Sequence, residues 1–271
     1  MTEPATAEGL QAHGIAKIFT SADGSPLRLL DGCSLHAEPG KLTVLIGPSG
    51  CGKSTLAYIL AGYLEPDEGR VTLDGQDVSG SGPDRLMVFQ ETALWPWMTV
   101  RRNVMFGPTV RGDLSRDQAR RRADELLEKF GLSAFKDKYP HQLSGGMKRR
   151  AEIAQALINN PRTMILDEPF RGLDVMTREL MQEYYLSVFE ETRVTTLFIT
   201  SEIEEAIFLA DRILIMAPEG GAIVETIEVD LPRPRTFDMM ASERYQEIKA
   251  AAIETLYRNE LDDIALEFAG G

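Results

Sequence analysis

The stretch Gly47-Pro-Ser-Gly-Cys-Gly-Lys-Ser-Thr55 decides how this chain folds. It fits the Walker A pattern Gly-x4-Gly-Lys-Ser, whose glycines let backbone N–H groups close around a polyphosphate. An apolar run at 42–46 precedes it and a helical pattern at 55–61 follows it. The loop therefore joins a buried strand to a helix N-terminus, which favours anions. The alternative is a glycine-rich turn that binds no ligand.

Two side chains of this loop carry the expected chemistry. Lys53 can reach the β- and γ-phosphates of a nucleotide, and the Ser54 hydroxyl can bind Mg²⁺. The candidate nucleotide-binding residues of the loop are Gly47, Pro48, Ser49, Gly50, Cys51, Gly52, Lys53, Ser54 and Thr55.

Composition limits the kind of protein this can be. The 271 residues suffice for one or two domains, and the net charge of −13 argues against nucleic acid as the main partner. With only two cysteines, Cys33 and Cys51, a reduced, intracellular protein is expected. The first residues have no pattern of a signal peptide. Because no apolar run is long enough to cross a bilayer, any membrane role is expected to come through a partner.

Strand and helix patterns alternate along the chain. Apolar runs at 163–166 and 195–200 enclose a helical pattern at 176–192, which predicts βαβ units and a mostly parallel sheet. Residues from about 99 to 160 are mainly helical in pattern. One helix is predicted to begin near 113, and a second to run from about 146 to 159. The apolar face of the first is marked by Ala123, Leu126, Leu127 and Phe130. The last 30 residues predict an amphipathic helix that packs on the protein's own core, with a partner-binding or regulatory role as the alternative. Its apolar positions are Tyr245, Ile248, Ile253, Leu256, Tyr257, Leu261, Ile264 and Phe268.

A second motif ends an apolar strand in two carboxylates. Thr163-Met-Ile-Leu-Asp-Glu-Pro169 places Asp167 where a Walker B acid holds Mg²⁺. Glu168 beside it can orient or deprotonate an attacking water. The motif is weak alone and strong when it follows a phosphate loop in the same chain.

A third motif, Leu143-Ser-Gly-Gly-Met147, opens a helix. Ser144 is a good N-cap residue, and the two glycines bare the first-turn N–H groups. By itself the motif could be only a capped helix start. One nucleotide does not need two phosphate-binding loops so far apart in sequence, which suggests that a second subunit supplies the other half.

The combined motifs resemble those of the ATP-binding-cassette (ABC) transporter ATPases over nearly the whole chain. The motifs occur in family order: Walker A at 47–55, a Q-loop at Gln90, the signature at 143–146, Walker B at 163–168 and a D-loop at Gly172-Leu-Asp174.

The resemblance implies a head-to-tail pair with a second ABC ATPase subunit, either an identical or a related one. Each ATP would be held by Walker A of one subunit and by Ser144, Gly145 and Gly146 of the other. Gln90 is expected to bind Mg²⁺ and sense the attacking water, and Asp174 of the D-loop is a further nucleotide-binding candidate. Phe19 matches the aromatic that stacks on adenine, with a core aromatic as the alternative.

The fold implied is an α/β P-loop NTPase with a RecA-like mixed sheet core, an antiparallel β subdomain and an inserted α-helical subdomain. Residues 1–218 are expected to form the ATPase domain, with its core at about 10–90 and 160–218 and its helical subdomain at about 91–159. Residues 219–271 are expected to add a strand and the amphipathic helix.

Finer features are similar to the nitrate/sulfonate/taurine importers, above all Val88-Phe-Gln-Glu-Thr-Ala-Leu-Trp-Pro-Trp97 and Leu231-Pro-Arg-Pro-Arg235. In that group an integral membrane permease and a periplasmic or lipid-anchored substrate-binding protein complete the system. This subunit is then expected at the cytoplasmic face of the inner or plasma membrane. The surface around Trp95, Pro96 and Trp97 is predicted to dock the permease, with core positions for both rings as the alternative. Solute choice belongs to the other components, so this sequence does not decide it.

One departure concerns catalysis. The family usually has a histidine after the strand at 195–200, and here Ser201 follows Thr200. That histidine contacts the γ-phosphate, so slow hydrolysis is expected, unless Thr200 takes over the contact. The candidate catalytic residues are Lys53, Gln90, Glu168 and Ser201.

Three other functions fit the sequence less well. An ABC ATPase acting on DNA or ribosomes is disfavoured by the net charge of −13. A P-loop kinase would leave the motif at 143–146 without a role. An ATP-dependent dimerisation switch with little hydrolysis is favoured by Ser201 and disfavoured by the intact Glu168.

Overall fold

The computed structural model describes the chain at residues 8–21 and 23–269, and its side chains as far as Arg258. The strands are β1 (Leu10–Thr20), β2 (Pro26–Ala37), β3 (Leu42–Ile46), β4 (Glu68–Leu73), β5 (Gln76–Asp77), β6 (Arg85–Val88), β7 (Thr163–Asp167), β8 (Thr195–Ile199), β9 (Arg212–Met216) and β10 (Ile223–Glu228). The α-helices are α1 (Lys53–Ala61), α2 (Val100–Arg111), α3 (Arg116–Lys129), α4 (Gly145–Leu157), α5 (Val175–Thr192), α6 (Ile203–Leu209) and α7 (Glu243–Ala269). Short 3₁₀ turns lie at Ser133–Phe135, Pro140–Gln142 and Phe237–Ala241.

Two compact units share this chain. The first consists of Met1–Gly82 and Gln182–Gly271, and the second of Pro83–Met181. Their boundary at Met181 falls within α5. The domain boundaries expected from the sequence stay a prediction.

A mixed sheet forms the centre of the first unit. Strand β3 pairs in parallel with β8 and β9, so that Val44 lies opposite both Phe198 and Ile213. Strand β10 adds to β9 in antiparallel orientation. Every residue of β3 and β8 is buried, as expected for continuous apolar runs covered on both faces. The phosphate loop leaves the carboxyl end of this central strand, β3.

A second, antiparallel sheet completes the first unit in the order β2-β1-β4-β5. The pairing of β1 with β2 shifts register between Ala12 and Ile15. Gly14, in that interval, has a φ of 60°, a conformation that glycine adopts without a steric cost.

Helices dominate the second unit, beside the parallel pair β6 and β7. Helix α3 begins at Arg116 rather than near 113 because Ser115 and Gln118 form a capping box. Ala123, Leu127 and Phe130 are buried, as predicted for the apolar face of this helix, whereas Leu126 is only half-buried. Ala119 lies on that face instead.

The segment after β10 is fixed onto α6 by a buried arginine. The Arg235 guanidinium donates hydrogen bonds to the backbone oxygens of Ile207 (3.1 Å) and Phe208 (3.0 Å). Burial lowers the pKa of Arg235 to about 10 because desolvation disfavours its charged form. Phe237 stacks on Phe208 with ring centroids 4.4 Å apart.

Helix α7 continues from this segment and packs on the first unit. Tyr245, Ile248 and Ala252 are buried, and Lys249 pairs with Glu204 of α6 at 2.5 Å. These contacts support packing on the protein's own core, while a regulatory role stays a prediction. Of the other predicted apolar positions, Ile253 and Leu256 are half-buried and Tyr257 is exposed. The side chains of Leu261, Ile264 and Phe268 lie outside the described residues.

Candidate functional site

The phosphate loop is shaped by its lysine. Lys53 Nζ donates hydrogen bonds of 2.7 Å to the backbone oxygens of both Gly47 and Pro48, although its side chain lies at the first position of α1. Only 6% of Lys53 is exposed. The ammonium group is therefore held inside the turn of the loop, where the phosphates of a nucleotide are expected.

Glycine is required at particular points of the loop. Gly50 and Gly52 have φ angles of 87° and 104°, which other L-residues rarely adopt. At Gly47 a Cβ atom would lie 2.9 Å from the Met216 oxygen and 3.1 Å from Cys51 Sγ. Larger residues would change the backbone path that the Walker A pattern predicts.

Both cysteines are buried and free. Burial raises the pKa of Cys33 to about 12, and it also raises the pKa of Cys51, against the opposing charge of Lys53. Because the thiolate is the reactive form, these thiols are protected although Cys51 lies in the phosphate loop.

The other two candidates of the first unit are accessible. Phe19 is 39% exposed, which argues against the core alternative and leaves its ring free to stack, so adenine stacking stays a prediction. Ser201 is exposed at the end of β8. Its neighbour Thr200 is buried, and the Thr200 hydroxyl accepts a hydrogen bond of 3.1 Å from the Glu202 backbone N–H.

The acidic strand end lies in the second unit. All five residues of β7 are buried, and Asp167 is 1% exposed. Glu168 follows with a φ of 42°, a left-handed conformation that costs free energy in a residue other than glycine and is typical of functional sites.

Arg171, which belongs to none of the sequence motifs, contacts the Glu168 carboxylate. Arg171 Nη1 donates to Glu168 Oε2 at 2.7 Å, and the backbone N–H of Arg171 donates to the Glu168 oxygen at 3.1 Å. The Glu168 side chain is 12% exposed. This contact holds the Oε2 oxygen, although the Arg171 side chain is itself 62% exposed.

The signature motif begins α4 as predicted. The Ser144 hydroxyl accepts a hydrogen bond from the Met147 backbone N–H at 3.3 Å. A Cβ atom on Gly146 would lie 3.0 Å from Thr177, and one on Gly145 would lie 3.2 Å from Leu173. The glycines thus serve close packing as well as access to the helix N-terminus.

Asp174 has a structural role at the start of α5. Its carboxylate accepts hydrogen bonds from the Thr177 hydroxyl (2.7 Å) and the Thr177 backbone N–H (3.0 Å). These bonds lower the pKa of Asp174 because they stabilise the carboxylate. A contact of Asp174 with nucleotide stays a prediction.

A buried ion pair holds the backbone around Gln90. Arg149 and Glu152, on the first two turns of α4, are 7% and 5% exposed and lie 2.8 Å apart. Arg149 donates to the backbone oxygens of Phe89 and Gln90, each at 2.7 Å. Glu152 accepts from the Ala93 backbone N–H at 2.6 Å. Desolvation raises the pKa of Glu152 and lowers that of Arg149, while their mutual attraction opposes both shifts.

Comparison with known proteins agrees with these motifs. The family model described as "ABC transporter" matches residues 30–171. The chain belongs to the ABC transporter ATP-binding family. It is 44% identical over 215 residues to a taurine import ATP-binding protein of Ruegeria pomeroyi, covering 79% of this chain and 80% of that protein. It is 40% identical over 252 residues to a nitrate import ATP-binding protein of Synechococcus elongatus, covering 92% of each.

Solved ABC cassettes share the fold. A dimeric ATP-binding cassette in a post-hydrolysis state, bound to ADP and Pi, superposes with a TM-score of 0.71 at 28% identity, covering 82% of this chain and 100% of that one. The cbiO1 subunit of an ABC transporter complex of Clostridium perfringens gives a TM-score of 0.73 at 26% identity, covering 94% and 100%. The P-loop NTPase fold and the nitrate/sulfonate/taurine group are thereby confirmed.

The coarse function follows from this membership. The chain is an ATP-binding subunit of an ABC importer, and it is an ATPase whose activity is coupled to transport. Among the solved relatives, one cassette is dimeric and another is part of an ABC transporter complex. No helix in the described part of the chain has the length and apolar character to span a membrane.

The proposed role of the Glu168 carboxylate as proton acceptor can be tested by substitution. We expect Glu168→Gln to keep ATP affinity, because the amide preserves the shape of the side chain, and to lower turnover by about 10²–10⁴-fold, the usual worth of a positioned proton acceptor. The ATP-bound dimer should then accumulate on size-exclusion chromatography. Turnover near the wild-type rate would assign the proton acceptor elsewhere.

Proposed function

We propose that this subunit powers the import of a small anion such as nitrate, a sulfonate or taurine. The observation that carries the proposal is the similarity, over at least 79% of the chain, to import subunits named for taurine and nitrate. The permease and a periplasmic or lipid-anchored binding protein complete the assembly. The subunit sits at the cytoplasmic face of the membrane. Nucleic acid is not a partner.

ATP binds between two subunits in this proposal. One contributes the phosphate loop, with Lys53 on the β- and γ-phosphates and Phe19 on adenine. The other contributes Ser144, Gly145 and Gly146 at the start of α4, and Asp174. The buried position of Lys53 supports its role, because a preorganised ammonium needs no reorganisation when the phosphates arrive.

The side-chain oxygens expected at the nucleotide site suit Mg²⁺, which prefers oxygen ligands. Asp167 is a buried carboxylate at a strand end, Ser54 is in the first turn of α1 and Gln90 is exposed. In proteins that bind nucleotides, Mg²⁺ is usually held by one or two carboxylates together with phosphates and waters. When bound, Mg²⁺ neutralises charge on the β- and γ-phosphates.

Hydrolysis is a phosphoryl transfer to water. A bond forms between the water oxygen and the γ-phosphorus, and the bond from that phosphorus to the bridging oxygen of ADP breaks. The Glu168 carboxylate accepts the proton of the water, and Arg171 keeps its other oxygen in place. Catalysis here is mainly positioning and charge neutralisation.

The solute proposal has a direct test. With permease and binding protein reconstituted in vesicles, nitrate, an alkyl sulfonate or the aminosulfonate taurine should raise the ATPase rate of this subunit. The reason is that substrate arrival commits the transporter to its ATP-bound state. A neutral sugar is the control. Equal rates with all solutes, or stimulation by the sugar alone, would contradict an anion importer.

A second candidate function is an ATP-dependent dimerisation switch with little hydrolysis. Ser201 favours it, because a serine stands where the family has its γ-phosphate-contacting histidine. The strained Glu168, held by Arg171, favours hydrolysis instead. A site that hydrolyses ATP slowly is consistent both with Ser201 and with the held Glu168.

Ser201→His should therefore raise turnover of the assembled transporter by about tenfold or more, since one preorganised donor is worth about 10²–10³ and a water recovers part of that in the wild type. Thr200 is only 2% exposed, so its hydroxyl is poorly placed to substitute. Ser201→Ala is the matched control and should not raise the rate. If histidine leaves the rate equal or lower in an intact complex, the site positions its water differently.

The permease is proposed to dock on the surface around Trp95 and Trp97. Their ring centroids lie 5.1 Å apart, and the side chains are 38% and 64% exposed. Two large exposed rings beside a proline form an apolar patch of the kind that marks a contact surface. The core alternative does not fit Trp97.

Trp97→Ala should weaken co-purification with the permease and leave ATP affinity unchanged, because its ring is mostly exposed in the single subunit. Tyr63→Ala removes another aromatic ring of similar exposure, 53%, outside this patch, and serves as the control. Loss of folding on Trp97→Ala, or equal co-purification of both variants, would place the docking surface elsewhere.

A further inference from the structure

The ion pair between Arg149 and Glu152 lies inside the second unit and is not used by the chemistry proposed above. Both side chains are more than nine-tenths buried. Burying two charges carries a desolvation cost of several kcal/mol per ion, which attraction between the two recovers only in good geometry with further hydrogen bonds. Because a buried ion pair is poor evidence for stability, we judge the role of this pair from the hydrogen bonds that it makes.

Those hydrogen bonds go to one short segment, residues 89–93, and mostly to its backbone. Arg149 binds the oxygens of Phe89 and Gln90, and Glu152 binds the N–H of Ala93. A planar guanidinium can hold two adjacent carbonyls at once. Arg149 supplies the donors and Glu152 supplies the acceptor, so one face of α4 holds the segment 89–93.

Asn103 of α2 holds the next part of the same loop. It is fully buried. Its Oδ1 accepts from the Trp95 backbone N–H at 2.7 Å, and its Nδ2 donates to the Trp95 and Met98 oxygens at 3.1 and 3.2 Å. The loop from Phe89 to Met98 is therefore attached to two helices at once.

Helix α4 begins at the signature motif, one turn before Arg149. A displacement of the signature end of this rigid helix would therefore be carried to the backbone of Gln90 and, through the loop, to Trp95 and Trp97. We propose that Arg149 and Glu152 are positioning residues that make the signature helix, the Gln90 loop and the tryptophan surface move as one body. The inference rests on the proposed roles of Gln90 and of the tryptophan surface.

The variant must remove both charges together. Removing one leaves the other buried and unpaired, whereas an apolar pair of similar volume is often tolerated. Arg149→Met with Glu152→Leu therefore should fold and release the loop, whose exposed backbone groups can bind water. Arg244→Met with Glu247→Leu is the control. This pair also lies at i,i+3, 2.9 Å apart, but is exposed on α7.

Intrinsic fluorescence reports the loop directly, because the only two tryptophans of the chain are Trp95 and Trp97. In the isolated wild-type subunit, ATP with Mg²⁺ should change the tryptophan emission. The Arg149/Glu152 double variant should bind a fluorescent ATP analogue as tightly as wild type, yet lose this emission change. Its ATPase stimulation by the reconstituted permease should fall at least about fivefold, the lower end of usual coupling between sites.

Several outcomes would overturn the inference. One is a double variant that keeps both the emission change and the stimulation, and another is a control pair that loses them equally.

If the double variant does not fold, Arg149→Lys tests the same point. Lysine keeps the positive charge but cannot bind two adjacent carbonyls as the planar guanidinium does. Stimulation by the permease should therefore fall while thermal stability is nearly kept. Full stimulation would contradict the coupling role. If wild type hydrolyses ATP without any emission change, the coupling inference fails and the ATPase proposal stands. Unimpaired hydrolysis by Glu168→Gln instead counts against the proposed site.

Discussion

The first unit depends on one constraint, the tight turn that carries the chain from the end of β3 into α1. The backbone can take this path only with glycines at Gly50 and Gly52, whose φ angles lie in the left-handed region, and with no side chain at Gly47. Lys53 closes the turn by binding two backbone oxygens of the loop. A buried ammonium group whose two short hydrogen bonds go to neutral carbonyl oxygens is ready for a polyphosphate, which offers it full negative charge.

The second unit shows the same principle with acidic and basic groups. Asp167 is fixed by a buried strand, and Glu168 by a strained backbone and by Arg171. The loop at Gln90 is fixed by Arg149 and by its partner carboxylate. Asp167, Glu168 and the backbone of Gln90 are thus each held by neighbouring residues. Such preorganisation is the main contribution that a protein makes to phosphoryl transfer.

The sequence predicted the parts of this fold that are local. The phosphate loop could be recognised because its glycines and Lys53 lie within nine residues, and the central strands because a run such as 42–46 is apolar throughout. The cap at Ser144 and the buried face of α7 at Tyr245 and Ile248 follow from helical spacing in the same way. The family resemblance added the pairing of subunits, which no local pattern contains.

Contacts between distant segments could not be predicted. Arg149 and Glu152 are charged, so their pattern predicts a solvated face, and only the tertiary structure shows that they hold a loop about 60 residues away in sequence. A cation three residues after Glu168 was a usable signal for the Arg171 contact, because i and i+3 meet in a turn. The packing of Gly146 against Thr177 depends on the approach of two helices, which no spacing reveals.

The claim that two subunits share each nucleotide is tested most directly by cross-linking. One copy carries Ser49→Cys in the phosphate loop and the other carries Ser144→Cys in the signature motif. The native thiols are buried, and their raised pKa values, about 12 for Cys33, keep them unreactive. With ATP and Mg²⁺ in a Glu168→Gln background, the mixed sample should give a cross-linked dimer, and neither copy alone should give it. No ATP-dependent cross-link between the two copies, in variants that still bind ATP, would contradict the shared site.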